Sequence, residues 1–222
     1  MTFTVLARDT RRGLIGAATA SRSLAVGASV ISVDPAVGAV ASQAWTNRAL
    51  RGRLLAAMRE GRTAADAVAS VPRWDEGHAL RQVAALAWTS PGAGRSGEEI
   101  SAWAGHSTTT DAVLAGNLLT GPEVLEAMSA AWVHSRGDLA DRLLEVLRAG
   151  EDAGGDARGR QSAAVLVASP AEIVLDLRVD DHDDPLAELT RLRRLSALPV
   201  EVPRARSGRA PRASAGDVTA SS

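Results

Sequence analysis

The sequence predicts an α+β fold in which two β-sheets pack face to face and helices cover each sheet. Two observations support this prediction. Apolar runs of strand length occur in pairs, and so do segments whose apolar residues recur every three or four positions, as on one face of a helix. Single strands alternating with single helices, as in a doubly wound parallel sheet, fit this order less well.

The N-terminal part of the chain begins with strands. Phe3–Ala7 and Leu14–Ala20 are apolar runs joined by a polar turn that ends at Gly13, which is typical of a hairpin. Two further strands are predicted at Val26–Val33 and Val37–Ala44.

The apolar spacing then changes to that of helices. Leu50, Leu54 and Met58 are four residues apart, and Gly61 stands where a helix commonly ends. Thr63 has the spacing of a capping box, which predicts a short second helix after it.

The second half of the chain repeats strands, helices and strands. Strands are predicted at Gln82–Thr89, Glu99–Trp103, Ala112–Ala115, Ala163–Ala168 and Glu172–Val179.

Three further helices are predicted in this half. Apolar spacing from Val124 to Trp132 marks the first, and the second runs from an N-cap at Asp138 to a stop at Gly150. The third begins at Asp184-Pro185, because Asp is a favoured N-cap and Pro is favoured at the first helical position.

The C-terminal segment differs in composition from the rest. The last 20 residues hold one large aliphatic residue, Val218, and therefore have little to bury. We predict one domain over residues 1–200 and a disordered tail, rich in Arg, Ala and Ser, over residues 201–222.

The composition excludes several kinds of chemistry. The chain has no cysteine, which excludes disulfides, iron–sulfur clusters, Cys-ligated zinc and a Cys nucleophile. All 25 basic residues are Arg, so a Walker-type phosphate loop and a Schiff-base mechanism, which both need Lys, are excluded too. The formal charge of -1 gives no reason to expect a nucleic-acid partner.

The sequence also gives no sign of a membrane or export segment. No stretch approaches 18 uncharged apolar residues, and charge arrives at Arg8, too early for a signal peptide. We therefore expect a cytoplasmic protein with no membrane partner.

Two short motifs have competing interpretations. The G-x-G-x-x-G match at 92–97 is followed by Glu98 and Glu99 where a pyrophosphate would lie, so a hairpin loop is the better interpretation. The acidic run Asp180–Asp184 could collect a hard cation, but a solvated turn whose last Asp caps a helix is favoured. We predict no cofactor and no metal site.

The start of the chain offers a nucleophile. Thr2 follows Met1, and a small second residue allows Met aminopeptidase to remove that methionine. The Thr2 hydroxyl would then lie beside its own α-amine, whose reference pKa is about 8. The amine can act as general base for the hydroxyl, which makes a self-contained nucleophile–base pair. The strand predicted from Phe3 would hold this pair rigidly.

Seven sequence blocks occur in an order that resembles one family. They are Thr2 with FTVLARD, ATASRSLAVGA (Ala18–Ala28), SQAWTN (Ser42–Asn47), WAGH (Trp103–His106), GNLLTGPEV (Gly116–Val124), GGDARGRQSAAVLV (Gly154–Val167) and DLRVDDHDDPLAEL (Asp176–Leu189). The chain resembles the family catalogued as domain of unknown function 1028, regarded as N-terminal-nucleophile (Ntn) hydrolase-like. The resemblance implies a four-layer αββα sandwich with two antiparallel sheets between helix layers.

In this interpretation the protein is an amidohydrolase with Thr2 as its nucleophile. Asn117, at the end of a predicted strand, is either a donor to the oxyanion or a turn residue. Ser162 and Asp156 are candidates to hydrogen-bond the Thr2 amine. Because the chain has no Lys, we expect cationic support from Arg8 or Arg22.

The loop at 154–162 is expected to form one wall of the cleft. Three glycines in this loop suggest an unusual backbone path, and Arg158 and Arg160 could bind a substrate carboxylate bidentately. The alternative is an Asp–Arg pair with Asp156 that only locks the loop. The predicted substrate-binding residues are Ser21, Arg22, Ser23, Gln43, His106, Arg158, Arg160 and Gln161, with His106 at the rim of the pocket.

Two other functions are left open. One is a small-molecule-binding protein that keeps the sandwich but performs no turnover, and the other is a cation-binding structural protein built on Asp180–Asp184. The expected partner is a small-molecule substrate, and the sequence also allows a homodimer.

Overall fold

The described part of the chain, residues 2–100 and 103–197 of a computed structural model, forms ten strands and seven α-helices. In chain order the elements are β1 (Thr2–Asp9), β2 (Leu14–Ser21), α1 (Val26–Val30), β3 (Ile31–Asp34), β4 (Gly38–Ala44), α2 (Ala49–Arg59), α3 (Ala64–Ala69), α4 (Val71–Trp74), β5 (Arg81–Ala87), β6 (Ala93–Ser96), β7 (Trp103–Thr108), β8 (Ala112–Leu119), α5 (Glu123–His134), α6 (Leu139–Asp152), β9 (Ser162–Ala168), β10 (Ile173–Val179) and α7 (Pro185–Ser196). Met1 and the predicted tail at 201–222 lie outside the described residues.

The strands form two sheets whose neighbours are all antiparallel. The six-stranded sheet has the order β10-β9-β2-β1-β8-β7, and the four-stranded sheet has the order β3-β4-β5-β6. Helices α5, α6 and α7 pack on the six-stranded sheet, and α2 and α3 pack on the four-stranded one. The predicted α+β sandwich of two antiparallel sheets between helices is confirmed.

Three apolar layers hold the sandwich together. Phe3 packs with Leu143 between the six-stranded sheet and its helices, Leu6 packs with Leu86 between the two sheets, and Leu54 lies between the four-stranded sheet and α2 and α3. Successive residues of a strand point to opposite faces, so β1 has a buried layer on both sides. This explains why FTVLA is a nearly continuous apolar run.

Two helix starts follow the capping chemistry expected from the sequence. The Thr63 hydroxyl accepts the backbone N–H of Asp66 at 3.1 Å. The Asp184 carboxylate accepts the N–H of Ala187 at 2.9 Å, and Pro185 is the first residue of α7. Both predicted caps are confirmed.

The strand predicted at Val26–Val33 is wrong in its first half. Residues Val26–Val30 form the short helix α1, and only Ile31–Asp34 is a strand. The helix begins where Ala25 has a φ of 53° and the Ser162 hydroxyl accepts the N–H of Val26. An apolar run of this length fits a helix and a strand equally well, and the cap comes from a distant part of the chain.

The region between Thr89 and Trp103 also differs from prediction. The 92–97 motif contains strand β6 where a loop was expected. Of the strand predicted at Glu99–Trp103, residues 99 and 100 are not in a strand, and Trp103 belongs to β7, which runs on to Thr108. Gly94 in β6 leaves room for the ring of His106, because a Cβ at that position would lie 2.7 Å from the ring. The next element after the motif is strand β7.

Helix α6 runs two residues beyond the stop predicted at Gly150. A Cβ at that position would meet Cγ of Met128 on α5 at 2.8 Å, so this glycine permits close helix packing inside α6. No helix within residues 2–100 and 103–197 is long and apolar enough to span a membrane.

Candidate active site

Thr2 lies at the start of β1, one of the two central strands of the six-stranded sheet. Its register partners are Ser21, the last residue of β2, and Asn117 of β8. Strands β4 and β6 of the other sheet also end on this side of the sandwich, where the side chain of Gln43 reaches across from β4. We call this side the Thr2 end.

The polar atoms of Thr2 are held from three directions. Its hydroxyl donates to Oγ of Ser21 at 3.2 Å. Its backbone oxygen accepts from Nε2 of Gln43 and from Nδ2 of Asn117, each at 3.3 Å. Thr2 is only 6% exposed, so these contacts fix its hydroxyl and its carbonyl in a buried setting.

Gln82 joins the two amides that hold Thr2. Its Oε1 accepts from Nε2 of Gln43 at 2.7 Å and from Nδ2 of Asn117 at 3.1 Å. Its Nε2 faces three oxygens, including the backbone oxygens of Gly105 and Gly116 at 2.9 Å. Because acceptors surround only the nitrogen, the orientation of this buried amide is unambiguous. Gln82 was not predicted as a site residue, because in the sequence it is simply the polar first residue of a predicted strand.

The amide oxygen of Gln43 is bound by a second threonine. The Thr4 hydroxyl lies 2.6 Å from Oε1 of Gln43 and 2.8 Å from the hydroxyl of Thr19. Thr2 and Thr4 are two residues apart on β1, so both point between the sheets. Gln43, predicted as a binding residue, is fully buried here and positions Thr2.

His106 lies at the outer end of this network. Its Nδ1 is 3.2 Å from Oγ of Ser96, which accepts from Nε2 of Gln82 at 2.8 Å. The ring packs over Gly94, and this partial burial lowers the pKa of His106. The residue lies on the exposed edge strand β7 and lines an open groove beside α5, which is separate from the cavity at the glycine-rich loop.

Asn117 lies inside β8, so the turn role considered for it is wrong. The two protons of its Nδ2 are directed at the oxygens of Thr2 and Gln82. Its Oδ1 is buried and has no hydrogen-bond partner among the described residues. The arrangement therefore makes Asn117 a positioning group for the Thr2 backbone.

Asp156 anchors the glycine-rich loop to the end of β2. Its carboxylate accepts the backbone N–H of Arg22 at 2.8 Å and that of Arg158 at 2.8 Å. The guanidinium of Arg158 pairs with the same carboxylate at 3.2 Å. An isolated bridge between Leu119 and Asp156 fastens the loop to β8 as well. An Asp–Arg pair does lock the loop, but it is made by Arg158.

The ion-pair partners of Arg160 differ from those expected from the sequence. Its Nη1 lies 3.4 Å from Oε2 of Glu151 and 3.4 Å from Oδ2 of Asp184. Pairing of Arg160 with Asp156 is therefore wrong. Burial raises the pKa of Glu151, although the nearby charges of Arg160 and Arg148 oppose this rise.

Ser162 and its neighbours support the turn that follows β2. The Ser162 hydroxyl donates to the backbone oxygen of Ser23 and accepts the N–H of Val26 at 3.0 Å. Ser162 is paired with Ser21, one strand further from Thr2, or about 10 Å away at ordinary strand spacing. Direct contact of this hydroxyl with Thr2, as considered in the sequence, does not fit the strand order.

Arg22 and Gln161 form a polar bridge on the surface of the same end. Nη1 of Arg22 donates to Oε1 of Gln161 at 2.8 Å, and Nε2 of Gln161 donates to Asp181 at 3.1 Å.

Arg8 lies at the opposite end of β1, where its Nε donates to Asp111 at 2.9 Å. The expectation that Arg8 supports Thr2 is therefore wrong.

A cavity of about 170 Å³ lies between the end of β2 and the glycine-rich loop. Ser21 lines it and also accepts the hydroxyl of Thr2. Glu151, Asp156 and Arg160 supply charged groups, and Phe3 supplies an apolar wall. The loop glycines Gly154, Gly155 and Gly159, which line the same cavity, all have positive φ.

Strained backbone is concentrated at the Thr2 end. The non-glycine residues with positive φ among the described residues are Ala25, Ala44 and Leu118. Ala44 and Leu118 lie in the last two residues of β4 and β8, and Ala25 comes shortly after the end of β2. Ala25 and Ala44 adjoin Leu24 and Trp45, which are 65% and 66% exposed. Each such residue costs about 1–3 kcal/mol, and strain of this kind is typical of functional sites.

The acidic run near α7 is occupied by internal contacts. Asp180 pairs with Arg178 at 3.0 Å, and Asp184 caps α7. Within the part of the chain that the structure describes, no group of three or more His, Asp or Glu side chains is arranged to hold a metal ion.

The fold and site define an α+β sandwich protein with a buried polar network at one end. The model of the Family of unknown function (DUF1028) matches residues 2–189, and the chain belongs to this family. The chain is similar to a protein of the same family from Silicibacter pomeroyi, whose crystal structure superposes with a TM-score of 0.84. The two are 36% identical, and the match covers 90% of each chain. No curated protein matches the chain.

Proposed function

We propose that this protein is an Ntn-type amidohydrolase in which Thr2, freed by removal of Met1, cleaves the C–N bond of a small amide. The observation that carries the proposal is the placement of Thr2 at the start of a central strand, with its hydroxyl on Ser21 and its carbonyl held by two buried amides. A helix–sheet–sheet–helix arrangement with a nucleophile between the sheets supports the Ntn-type fold.

The chemistry uses the two functional groups of one residue. The Thr2 hydroxyl attacks the amide carbonyl while its α-amine takes the proton. The tetrahedral intermediate then breaks its C–N bond, and the leaving amine receives that proton. Water hydrolyses the resulting ester, which releases the acid and restores the Thr2 hydroxyl.

The buried network prepares Thr2 for this role. Hydrogen bonds from Gln43 and Asn117 restrict the peptide plane that follows Thr2, so its hydroxyl and amine keep a fixed relation to the cleft. Ser21 accepts a hydrogen bond from the Thr2 hydroxyl, so it sets the direction of the nucleophile. Such positioning lowers the entropic part of the barrier.

The cavity beside Ser21 favours an amide that carries a carboxylate. Among the described residues, both ion pairs of Arg160 use Nη1. Its Nε and Nη2 can therefore donate hydrogen bonds to a substrate carboxylate. The volume of about 170 Å³ suits a small substituent.

A screen of small amides against the full-length chain tests the proposal. We expect turnover by wild type, its loss in Thr2→Ala, and partial retention in Thr2→Ser, because serine keeps a hydroxyl beside the amine. Thr10→Ala, in the exposed turn after β1, is the matched control and should behave as wild type. Equal activity in wild type and Thr2→Ala would discard the proposal. Binding of an amide with no turnover by wild type would instead favour a non-catalytic binding protein.

A further inference from the structure

An open basin rich in arginine lies at the end of the sandwich opposite Thr2. It has a volume of about 620 Å³ and forms between the β1–β2 turn, the α5–α6 loop and the turn before β8. The arginines that line it are Arg8, Arg11, Arg12, Arg136 and Arg142. Its edge at Asp9 is seven residues along β1 from Thr2, or about 23 Å at the usual rise of a strand. We call it the arginine basin.

The two carboxylates of the basin are already engaged. Asp111 pairs with Arg8 at 2.9 Å, and the other nitrogens of that guanidinium are bound by backbone oxygens. Asp9 pairs with Arg12 at 3.0 Å and accepts the backbone N–H groups of Arg11 and Arg12. The other three guanidiniums, those of Arg11, Arg136 and Arg142, are therefore not paired with either carboxylate that lines the basin.

Arg142 is fixed in the wall of the basin. Its guanidinium lies 3.8 Å from the centre of the Trp132 ring, and its Nε donates to the Ser135 hydroxyl at 3.2 Å. Stacking on a tryptophan holds the guanidinium plane in place without neutralising its charge.

The charges around Arg142 lie close to one another. Burial lowers the pKa of Arg142, and the positive charges of Arg136 and Arg12 lower it further. Asp9 and Glu145 act in the opposite direction but do not restore the usual value. A partly buried cation with two cationic neighbours is destabilised, and a bound anion would offset this cost.

Two more guanidiniums border the basin at its open side. Arg136 uses Nη1 to bind backbone oxygens at the end of α5, such as that of Ser135 at 2.8 Å. The guanidinium of Arg11 has no hydrogen-bond partner within residues 2–100 and 103–197. Val133, 60% exposed, adds an apolar surface beside them.

We infer that the arginine basin is a second ligand site, which binds a small organic anion carrying two or more phosphate or carboxylate groups. Guanidiniums from three separate segments converge on one open volume, and their fork geometry matches planar or tetrahedral oxyanions. The exposed Val133 accommodates the carbon part of such a ligand. The inference does not depend on chemistry at Thr2.

Calorimetric titration of the full-length chain with pyrophosphate and with citrate, at fixed ionic strength, tests this site. We expect saturable binding of one or both anions at a single site, and weaker binding as salt is raised. Binding of pyrophosphate alone identifies a phosphate ligand, and binding of citrate alone identifies a carboxylate ligand.

The double variant Arg11→Gln with Arg136→Gln should bind at least tenfold more weakly, since it removes two charge-assisted contacts. The matched control is Arg191→Gln with Arg194→Gln, which removes two exposed charges on α7. Both doubles should melt close to wild type in chloride, and Thr2→Ala should bind as wild type does. No binding of either anion, or an equal loss of affinity in both double variants, would overturn the inference.

Discussion

Nδ2 of Asn117 lies 3.3 Å from the backbone oxygen of Thr2 and donates a hydrogen bond to it across the β1–β8 pair. The second proton of the same nitrogen is directed at Gln82. Asn117 would have to break one of these bonds before it could donate to an oxyanion. Its contribution in this structure is to hold the residue proposed as the nucleophile.

Replacing Gln82 with methionine should destabilise the fold. The apolar side chain has a similar shape, but Gln43 and Asn117 would lose a shared acceptor, and two backbone oxygens would lose a donor. Each buried polar group left unsatisfied costs about 1–3 kcal/mol, so we expect a loss of about 3 kcal/mol in urea unfolding. Gln161→Met, on the surface, should change stability by less than about 0.5 kcal/mol. Equal effects of the two substitutions would contradict the network.

Arg160→Gln tests the substrate side of the site. If Arg160 binds a substrate carboxylate, kcat/KM for a carboxylate-bearing amide should fall tens-fold, because charge-assisted hydrogen bonds are worth about 1.5–3 kcal/mol. The kcat/KM for an uncharged amide should stay nearly unchanged. The side chain is half exposed, so loss of its ion pairs should cost less than about 1 kcal/mol of stability. A large drop in stability with unchanged kinetics would assign Arg160 to the loop alone.

The raised pKa of Glu151 predicts that the stability of the fold depends on pH. Burial raises its pKa above the ordinary 4.5, so the folded state binds the proton more tightly than the unfolded state does. Wild type should therefore lose stability as the pH rises from about 4.5 through the raised pKa. Glu151→Gln lacks this titration, so its stability relative to wild type should increase over that window in urea unfolding at several pH values. A relative stability that falls with rising pH would mean that the ion pairs outweigh burial.

The lowered pKa of Asp75 predicts a pH dependence of stability that is opposite in sign to that of Glu151. Hydrogen bonds from Arg81 and Asn47 lower the pKa of Asp75 from 3.8 to about 2, although burial opposes them. The stability it contributes is present above pH 4 and lost as the pH falls through about 2. Asp75→Asn should therefore cost about 2 kcal/mol at pH 7 and almost nothing near pH 2. Asp183→Asn, on the surface, serves as the control, and a cost that did not change with pH would contradict the assignment.

The sequence was most informative where local chemistry decides structure. The caps at Thr63 and Asp184 and the hairpin around Gly13 depend on neighbouring residues, and they could be predicted. Strand β6 could not, because Gly94 is fitted to the ring of His106, and this contact depends on how the next strand, β7, packs against it.

The candidate site likewise contains residues that could be predicted from the sequence and residues that could not. Thr2 could be singled out because its chemistry depends on its position in the chain. Gln82 could not, because a buried glutamine has no sequence signature, and its partners come from β4, β6, β7 and β8. The partners of Arg160 were also hidden, since Glu151 and Asp184 meet it only through the packing of α6 and α7.

The most direct test of the central claim is the identity of the N-terminal residue in the mature protein. Intact-mass measurement of the purified chain, followed by sequencing of its first residues, should give a protein that lacks Met1 and begins with Thr2. Its α-amine would then be free to act as the base for its own hydroxyl. A mature protein that retains Met1 would contradict the account, because the amine would belong to another residue and Thr2 would have no base of its own.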